Sequence, residues 1–444
     1  MARSRLGALA TPIRLIGLLV RALLGPPTRA VRGTARRVRD PARQVVDYWA
    51  SERVTMRQGF TAVCIAALTS LIAGLVLAGM SNRIEELPGL FVLIPVSIGM
   101  RGNIFGALAA RLGTSIHSGL FEVSRAKTSL LYQNVFSATL LTVATAVAMG
   151  TLARAVSALL GIATLSLWDL IVVALVGGLL SSAVVLAVTV LLSVTSFRRG
   201  WDLDSVGAPL ITAIGDVVTL PSVLAASYLV GRSWISPALG AVSFAAGAVA
   251  LTFGWVTQRT LVRQIVRQSF PILCVAIMLD VLAGTVVEPR TEAVFLPFPA
   301  LLVLLPGFLE NTGALGSILA ARLGSKLHLG AVTPSAKPDA AALLDFTIVL
   351  VLGITVYAIT ALSTLAATTV LGQDYPGVLR FLGLVMTGGL LATIVASFIG
   401  YYAAVLSHRF GFDPDNQTIP LVTSGMDLLG VICLVIALIL FGVA

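Results

Sequence analysis

Apolar runs long enough to cross a lipid bilayer recur along nearly the whole 444-residue chain. They fall near 60–80, 88–110, 131–153, 169–194, 207–230, 235–256, 269–287, 296–320, 342–370, 380–406 and 419–442. Within lipid each backbone N–H and C=O must find its partner inside the protein, so such runs fold as helices or as closed barrels. The ten-residue alternating pattern of barrel strands is absent. Only 11% of the residues are charged, too few to coat a water-soluble surface. The expected class is an all-α polytopic membrane protein with eleven transmembrane helices.

The charges orient these helices. Residues 1–58 hold twelve arginines against Asp40, Asp47 and Glu52. A basic segment before a first span marks the cytoplasmic side and contacts anionic lipid. The net charge of +10 therefore does not imply a nucleic-acid partner. The apolar stretch "LGALATPIRLIGLLVRALLG" is expected to lie along the membrane surface or to belong to a basic tail. With a cytoplasmic N-terminus, 24 of the 30 Lys and Arg residues fall inside and five fall outside, with Arg101 within the second run. The eleven-span count then leaves the C-terminus outside the cytoplasmic membrane. Cys64, Cys274 and Cys433 all lie in apolar runs and read as packing residues.

A second pattern divides the chain. "AARLGTSIHSG" at 109–119 returns as "AARLGSKLHLG" at 320–330, an offset of 211 residues. The same offset pairs Pro95 with Pro306, Arg111 with Arg322, His117 with His328, and Gly177–Gly178 with Gly388–Gly389. It also pairs Pro209, Thr212 and Asp216 with Pro420, Thr423 and Asp427, and Asn134 with Asp345. Five helices turn a chain over, and the extra helix near 235–256 restores its direction. The expected plan is two parallel five-helix repeats related by a pseudo-two-fold axis along the membrane normal. Residues 1–58 form a basic cytoplasmic segment, 59–231 the first repeat, 232–267 the linking helix with a basic cytoplasmic loop, and 268–444 the second repeat. Whether this two-repeat unit forms a homodimer stays open.

Asp216 and Asp427 stand about ten residues into their spans. A carboxylate at such depth costs roughly 3 kcal/mol and needs a cation, a proton or a water path. Thr212, Thr423 and Ser424 add hydroxyls, and Gly215 and Gly425 are expected to admit a neighbouring helix and expose carbonyls. No histidine shares these segments. Oxygen ligands favour a hard cation such as Mg²⁺, leaving Mn²⁺, Ca²⁺ and Na⁺ open. The second and eighth runs carry Pro95, Gly99, Gly102 and Gly106, and Pro306, Gly307, Gly313 and Gly316. They are expected either to interrupt the helix beside a water path or to make a kink packed through small residues. Here the copies diverge. Gly102–Asn103 faces Gly313–Ala314, while Glu310, Asn311 and Thr312 are offered by the second copy alone. Glu310, facing Gly99, is the first choice for an added ligand or gate residue. Asp280 faces Thr69 and is a candidate for a co-transported ion or for a polar neighbour. Asp169 is expected to cap a helix, Arg111 and Arg322 to anchor helix ends at headgroups, and His117 and His328 to lie in loops. No Gly-rich phosphate loop ending in Lys and Ser/Thr occurs, so transport is expected to be passive or ion-coupled, and the chain no enzyme.

"IPVSIGMRGNIFGALAARLGTSIHSG" with "APLITAIGD", and their second copies, resemble the membrane domain of MgtE magnesium channels and the related solute carrier family 41. The resemblance covers the chain from about residue 55 onward. It implies transport of divalent cations, preferentially Mg²⁺, through a pore lined by Asp216 and Asp427. It maps a Gly-Asn motif onto Gly102 and Asn103, with Gly313 alone kept in the second copy. A polar third-helix position near the ion path maps onto Asn134 and Asp345. Residues 1–58 are too short and too basic to be expected to supply the N domain and paired CBS domains of MgtE, so gating by an acidic sensing domain is not implied. Channel and Na⁺- or H⁺-coupled exchange both remain open. The alternative is a proton- or sodium-coupled carrier of a small solute, which the scarcity of aromatics in the repeated motifs disfavours.

Overall fold

A computed structural model describes residues 41–124, 126–199, 203–231, 235–411 and 417–444. The expected surface stretch near the N-terminus, Arg125 and Arg232 lie outside the described residues. The helices are α1 (Pro41–Ser51), α2 (Arg53–Gly79), α3 (Ser81–Glu86), α4 (Leu90–His117), α5 (Leu130–Leu159), α6 (Leu167–Arg199) and α7 (Leu203–Ser227). There follow α8 (Ile235–Val256), α9 (Thr260–Val287), α10 (Pro299–His328), α11 (Ala340–Val370), α12 (Val378–Phe410) and α13 (Ile419–Leu440). Residues up to Gln58 form one unit and Gly59–Ala444 another.

Ten helices among the described residues are long and apolar enough to cross a membrane. The expected span at 207–230 falls on α7, whose described apolar part, Ile211–Ser227, is shorter than the other ten. Leu68, Val242, Val249 and Leu362 are more than half exposed, as lipid-facing side chains would be. The protein is thus a multi-pass α-helical membrane protein.

Local chemistry sets the helix ends. The Ser129 hydroxyl accepts from the Tyr132 N–H and starts α5, and the Asp339 carboxylate accepts from the Ala342 N–H and starts α11. Ser166 stands just before α6, where its hydroxyl accepts from the Asp169 N–H and donates to the Asp169 carboxylate. That carboxylate also accepts from the Ser236 hydroxyl, tying α6 to α8. Several expectations are corrected. Pro95 and Pro306 sit within continuous helices past the first turn, each forfeiting one backbone bond, so the expected interruption of the helix is absent while the alternative of a proline within a closely packed helix stands. The residues expected as a basic loop before the seventh span are helical from Thr260. Arg259 lies over the Tyr132 and Phe136 rings and Arg267 over Trp255, so their charge stays at the helix surface while their stems cover aromatic faces. His117 and His328 are the last residues of α4 and α10 rather than loop residues.

The two halves use the same set of pairings. In the first, α4 packs on α6 and α7, and α6 on α5 and α7; in the second, α10 packs on α12 and α13, and α12 on α11 and α13. The first helix of each half packs into the other half. A Cβ added at Gly284 of α9 would lie 2.7 Å from the Val92 backbone of α4. One added at Gly74 of α2 would collide with the Val303 carbonyl oxygen of α10. Small residues let helices approach this closely in a membrane, where dispersion and not water expulsion holds them together. Val92 and Val303 keep the 211-residue offset, but Gly74 and Gly284 differ by 210. The single gapless register read from the sequence therefore slips by one residue in these helices. Their packing sets Asp280 opposite Ser70 rather than Thr69.

Candidate functional site

Four acidic side chains from four helices meet in the core: Asp216 of α7, Asp280 of α9, Glu310 of α10 and Asp427 of α13. Asp216 stands within hydrogen-bonding reach of Glu310 and of the Ser70 hydroxyl, and within electrostatic range of Asp427. Asp427 stands within hydrogen-bonding reach of Asp280 and within range of Glu310. Two carboxylates in contact repel unless a cation or a proton lies between them. Asp216 and Asp427 are therefore near one another, but the nearest acid to each is a different one.

Asp216 and Asp280 are fully buried. Glu310 and Asp427 are only partly buried. Gly99 leaves room for this arrangement. A Cβ there would lie 2.8 Å from Asp280 Oδ2 and 3.5 Å from Asp427 Oδ2. No three acidic, histidine or cysteine side chains among the described residues close on one point as a dry metal cage would require. Two carboxylates at a time, with hydroxyls, suit a cation that keeps part of its water shell.

The polar residues around the acids fall into two groups. Asn103 reaches across from α4 to α13, where its Oδ1 accepts from the Thr423 hydroxyl at 3.1 Å and its Nδ2 donates to the Ser424 hydroxyl at 3.4 Å. A small hollow toward Arg111 and Ser269 opens beside it. Gly102 packs against the Thr212 methyl and Gly313 against Thr423, each 3.6 Å from where a Cβ would stand. The two contacts repeat at the 211-residue offset. On α10, Asn311 Nδ2 donates to the Thr360 hydroxyl at 2.9 Å, while its Oδ1 is buried without a donor. The Thr312 hydroxyl donates to the carbonyls of Leu309 and Met426. The expected role for Gly425 does not hold: no atom lies within 4 Å of where its Cβ would stand, so no helix approaches it. Gly215 does pack closely, 3.4 Å from the Arg101 Cβ.

Asn134 and Asp345 meet the arginines at the helix ends. Arg111 Nε donates to Asn134 Oδ1 at 2.9 Å. In the second copy Arg322 and Lys326 both bind the fully buried Asp345, each at 2.7 Å. The arginines expected at headgroups thus point inward. The sequence did not foretell Arg101 either. Its guanidinium is buried and donates to the Gly178 carbonyl at 2.7 Å and to the Ser182 hydroxyl, while Nε and Nη2 meet no acceptor. The second copy has Thr312 in its place, so one half carries a fixed internal cation and the other does not.

A hollow of about 520 Å³ lies elsewhere: it is apolar, bordered by Trp255, Phe270 and Pro271, and suits an acyl chain rather than an ion.

The family described as MgtE, divalent cation transporter, matches residues 94–226 and again 305–437. The chain belongs to this family. Both ends of the two matches differ by 211 residues, the offset of the sequence repeat, and each match ends beyond its core aspartate, Asp216 or Asp427. Solute carrier family 41 member 3 of Rattus norvegicus is 25% identical over 406 residues, covering 83% of each chain. Solute carrier family 41 member 2 of Macaca fascicularis is 25% identical over 405 residues, 82% of this chain and 67% of its own. The Homo sapiens member 2 is 25% identical over the same length. No solved structure matches the chain. The protein is a divalent cation transporter of the MgtE family and not an enzyme.

Proposed function

We propose that this MgtE-family transporter moves Mg²⁺ along the interface between two parallel five-helix repeats, with Asp216, Asp427 and Glu310 contacting the partly hydrated ion. The observation that carries the reading is the meeting of carboxylates from α7, α9, α10 and α13 in the core of the helix bundle, with buried hydroxyl and amide side chains around them. The ligands are all oxygen, which suits a hard cation; Mn²⁺ shares this preference to a lesser degree. In this reading α7 crosses the membrane as the eleventh span, and an axis along the membrane normal relates the halves. The N-terminus is cytoplasmic and the C-terminus is outside. Asn103, Asn311 and Thr312, with Gly102 and Gly313 giving room, shape a gate. Thr212 and Thr423 flank it. Asn134 and Asp345, each held by an arginine, flank the inner vestibule.

The test is uptake into proteoliposomes containing the full chain. Mg²⁺, Mn²⁺, Ca²⁺ and Zn²⁺ are compared with and without a Na⁺ or a proton gradient. Mg²⁺ flux lost in Asp216→Asn and in Asp427→Asn supports the reading. Full flux in both variants rejects it. Flux that requires one gradient identifies the coupling ion, and flux that needs neither identifies a channel.

A further inference from the structure

Asp280 is the acid that the repeat leaves without a mate. Both of its oxygens are buried, and neither meets a donor in hydrogen-bond geometry, although the Ser424 hydroxyl stands near. At the equivalent place in the other half is Ser70, whose hydroxyl is also fully buried and also meets no partner in that geometry, beside Asp216. The halves therefore present the same three positions with different residues. One has Asp216, Ser70 and Glu310; the other has Asp427, Asp280 and Gly99. Each holds two carboxylates, but the second acid comes from α10 in one and from α9 in the other. Where Glu310 extends a side chain, Gly99 has none, and the Asp280 carboxylate occupies that side: its Oδ2 is 2.8 Å from where a Gly99 Cβ would stand.

We infer that Asp280 and the Ser424 hydroxyl, with Asp427 shared from the central ion, form a second divalent-cation site adjoining the one at Asp216 and Glu310, so that the transporter holds two ions at once. The inference rests on the proposed central ion path and adds an ion to it. The buried Asp280 carboxylate, which meets no donor, needs a compensating charge, and two divalent ions balance the four carboxylates of the cluster. The ligands at the second site are carboxylate and hydroxyl oxygens with no nitrogen or sulfur, so the ion is hard. Asp427 and Glu310, from different pairs, lie within electrostatic range of each other. Ions at both sites therefore repel, and a second entering ion lowers the affinity of the first. Such multi-site binding lets ions bind firmly and still leave.

The probe is Mn²⁺, bound to the full chain in detergent and counted by equilibrium dialysis. The expected stoichiometry is two for the unmodified protein, one for Asp280→Asn, one for Asp280→Ser and one for Asp216→Asn. The serine variant copies the Ser70 side of the molecule. Paramagnetic resonance of the unmodified protein gives a reading that needs no variant: two neighbouring Mn²⁺ ions broaden each other's signal as the sites fill. A single Mn²⁺ per chain, with an unbroadened signal at saturation and no loss in Asp280→Asn, overturns the second site. If Asp280→Asn loses one ion while Asp216→Asn keeps two, the second site stands and the assignment of Asp216 fails. Absence of Mn²⁺ binding in the unmodified protein overturns both.

Discussion

Replacing Asp345 by asparagine tests whether the two copies balance charge separately near the C-terminal ends of α4 and α10. Asp345 is fully buried and is clasped by Arg322 and Lys326, whose side chains are 12% and 23% exposed. Removing the carboxylate charge leaves two cations facing a neutral amide. Breaking one side of a buried pair costs about 3–5 kcal/mol. Lys326, nearly a quarter exposed, can swing its ammonium toward water, so the lower end applies. About 3 kcal/mol corresponds to a loss of roughly a hundredfold in the folded-to-unfolded ratio. The first copy supplies the remedy. There Arg111 meets Asn134, and the position of Lys326 is held by Ser115. Asp345→Asn with Lys326→Ser rebuilds that arrangement, one guanidinium facing a neutral amide with the same net charge as the native cluster, and should recover about 2 kcal/mol of the loss. Lys326→Ser alone should cost under about 1 kcal/mol, because Arg322 still pairs with Asp345. A double-mutant cycle by reversible unfolding in mixed detergent measures all three. Additive losses, with the double variant no better than Asp345→Asn, would refute charge balance as the reason for this cluster.

Close helix contact predicts another result. Gly284→Ala puts a methyl carbon 2.7 Å from Val92 backbone atoms that cannot step aside. Overpacking of this kind costs about 1–3 kcal/mol. Asp280 lies one turn below on the same face of α9, so Mn²⁺ affinity should fall with stability; Gly161→Ala, in an exposed turn at a φ of 68° with no described atom near the new methyl, should lower stability without moving affinity, and equal affinity losses in both would refute the link. Acid stability provides a further check. Burial alone would raise the Asp339 pKa, but N–H donors at Ala342 and Thr333 and the Thr333 hydroxyl hold its carboxyl below the ordinary range. A lowered folded-state pKa stabilises above the unfolded value, about 3.9, and that share is lost as pH falls through the folded value. Asp339→Asn should therefore narrow the stability gap to wild type as pH drops from 6 to 3, and a constant gap would refute the charge contribution. Asp339→Ala should lose about 1 kcal/mol more near neutral pH because the cap itself is gone, read by thermal unfolding.

The core acids were legible in the sequence to different degrees, and the reason is geometric. Asp216 and Asp427 stood out because a carboxylate deep in an apolar run is costly and these two recur at a fixed offset. Glu310 stood out as a charge in a repeated motif whose other copy has glycine. Asp280 stood out less, because the offset of 211 set it against Thr69. Only the packing of Gly74 on Val303 and of Gly284 on Val92 reveals the slip that puts Ser70 in that place. The inward turn of Arg111 and Arg322 was not legible at all. A helix end near the cytoplasm suits an arginine whether it faces lipid headgroups or a carboxylate on the next helix, and sequence periodicity does not say which neighbour lies there.

The slip also bears on why the two halves cannot act alone. Asp216 belongs to the first half, and its partner Glu310 belongs to the second. Asp427 and Asp280 belong to the second half, but the helix carrying Asp280 packs into the first, against α4 and α5. Each pair of acids is therefore held by elements of both halves. A glycine in one copy facing a glutamate in the other, and a serine facing an aspartate, would look like decay if each copy were a separate pore. Across one shared interface the substitutions keep two carboxylates at each place. The side chains at these positions are no longer symmetric, while each pair keeps two carboxylates, which is what a cation on the proposed path would meet.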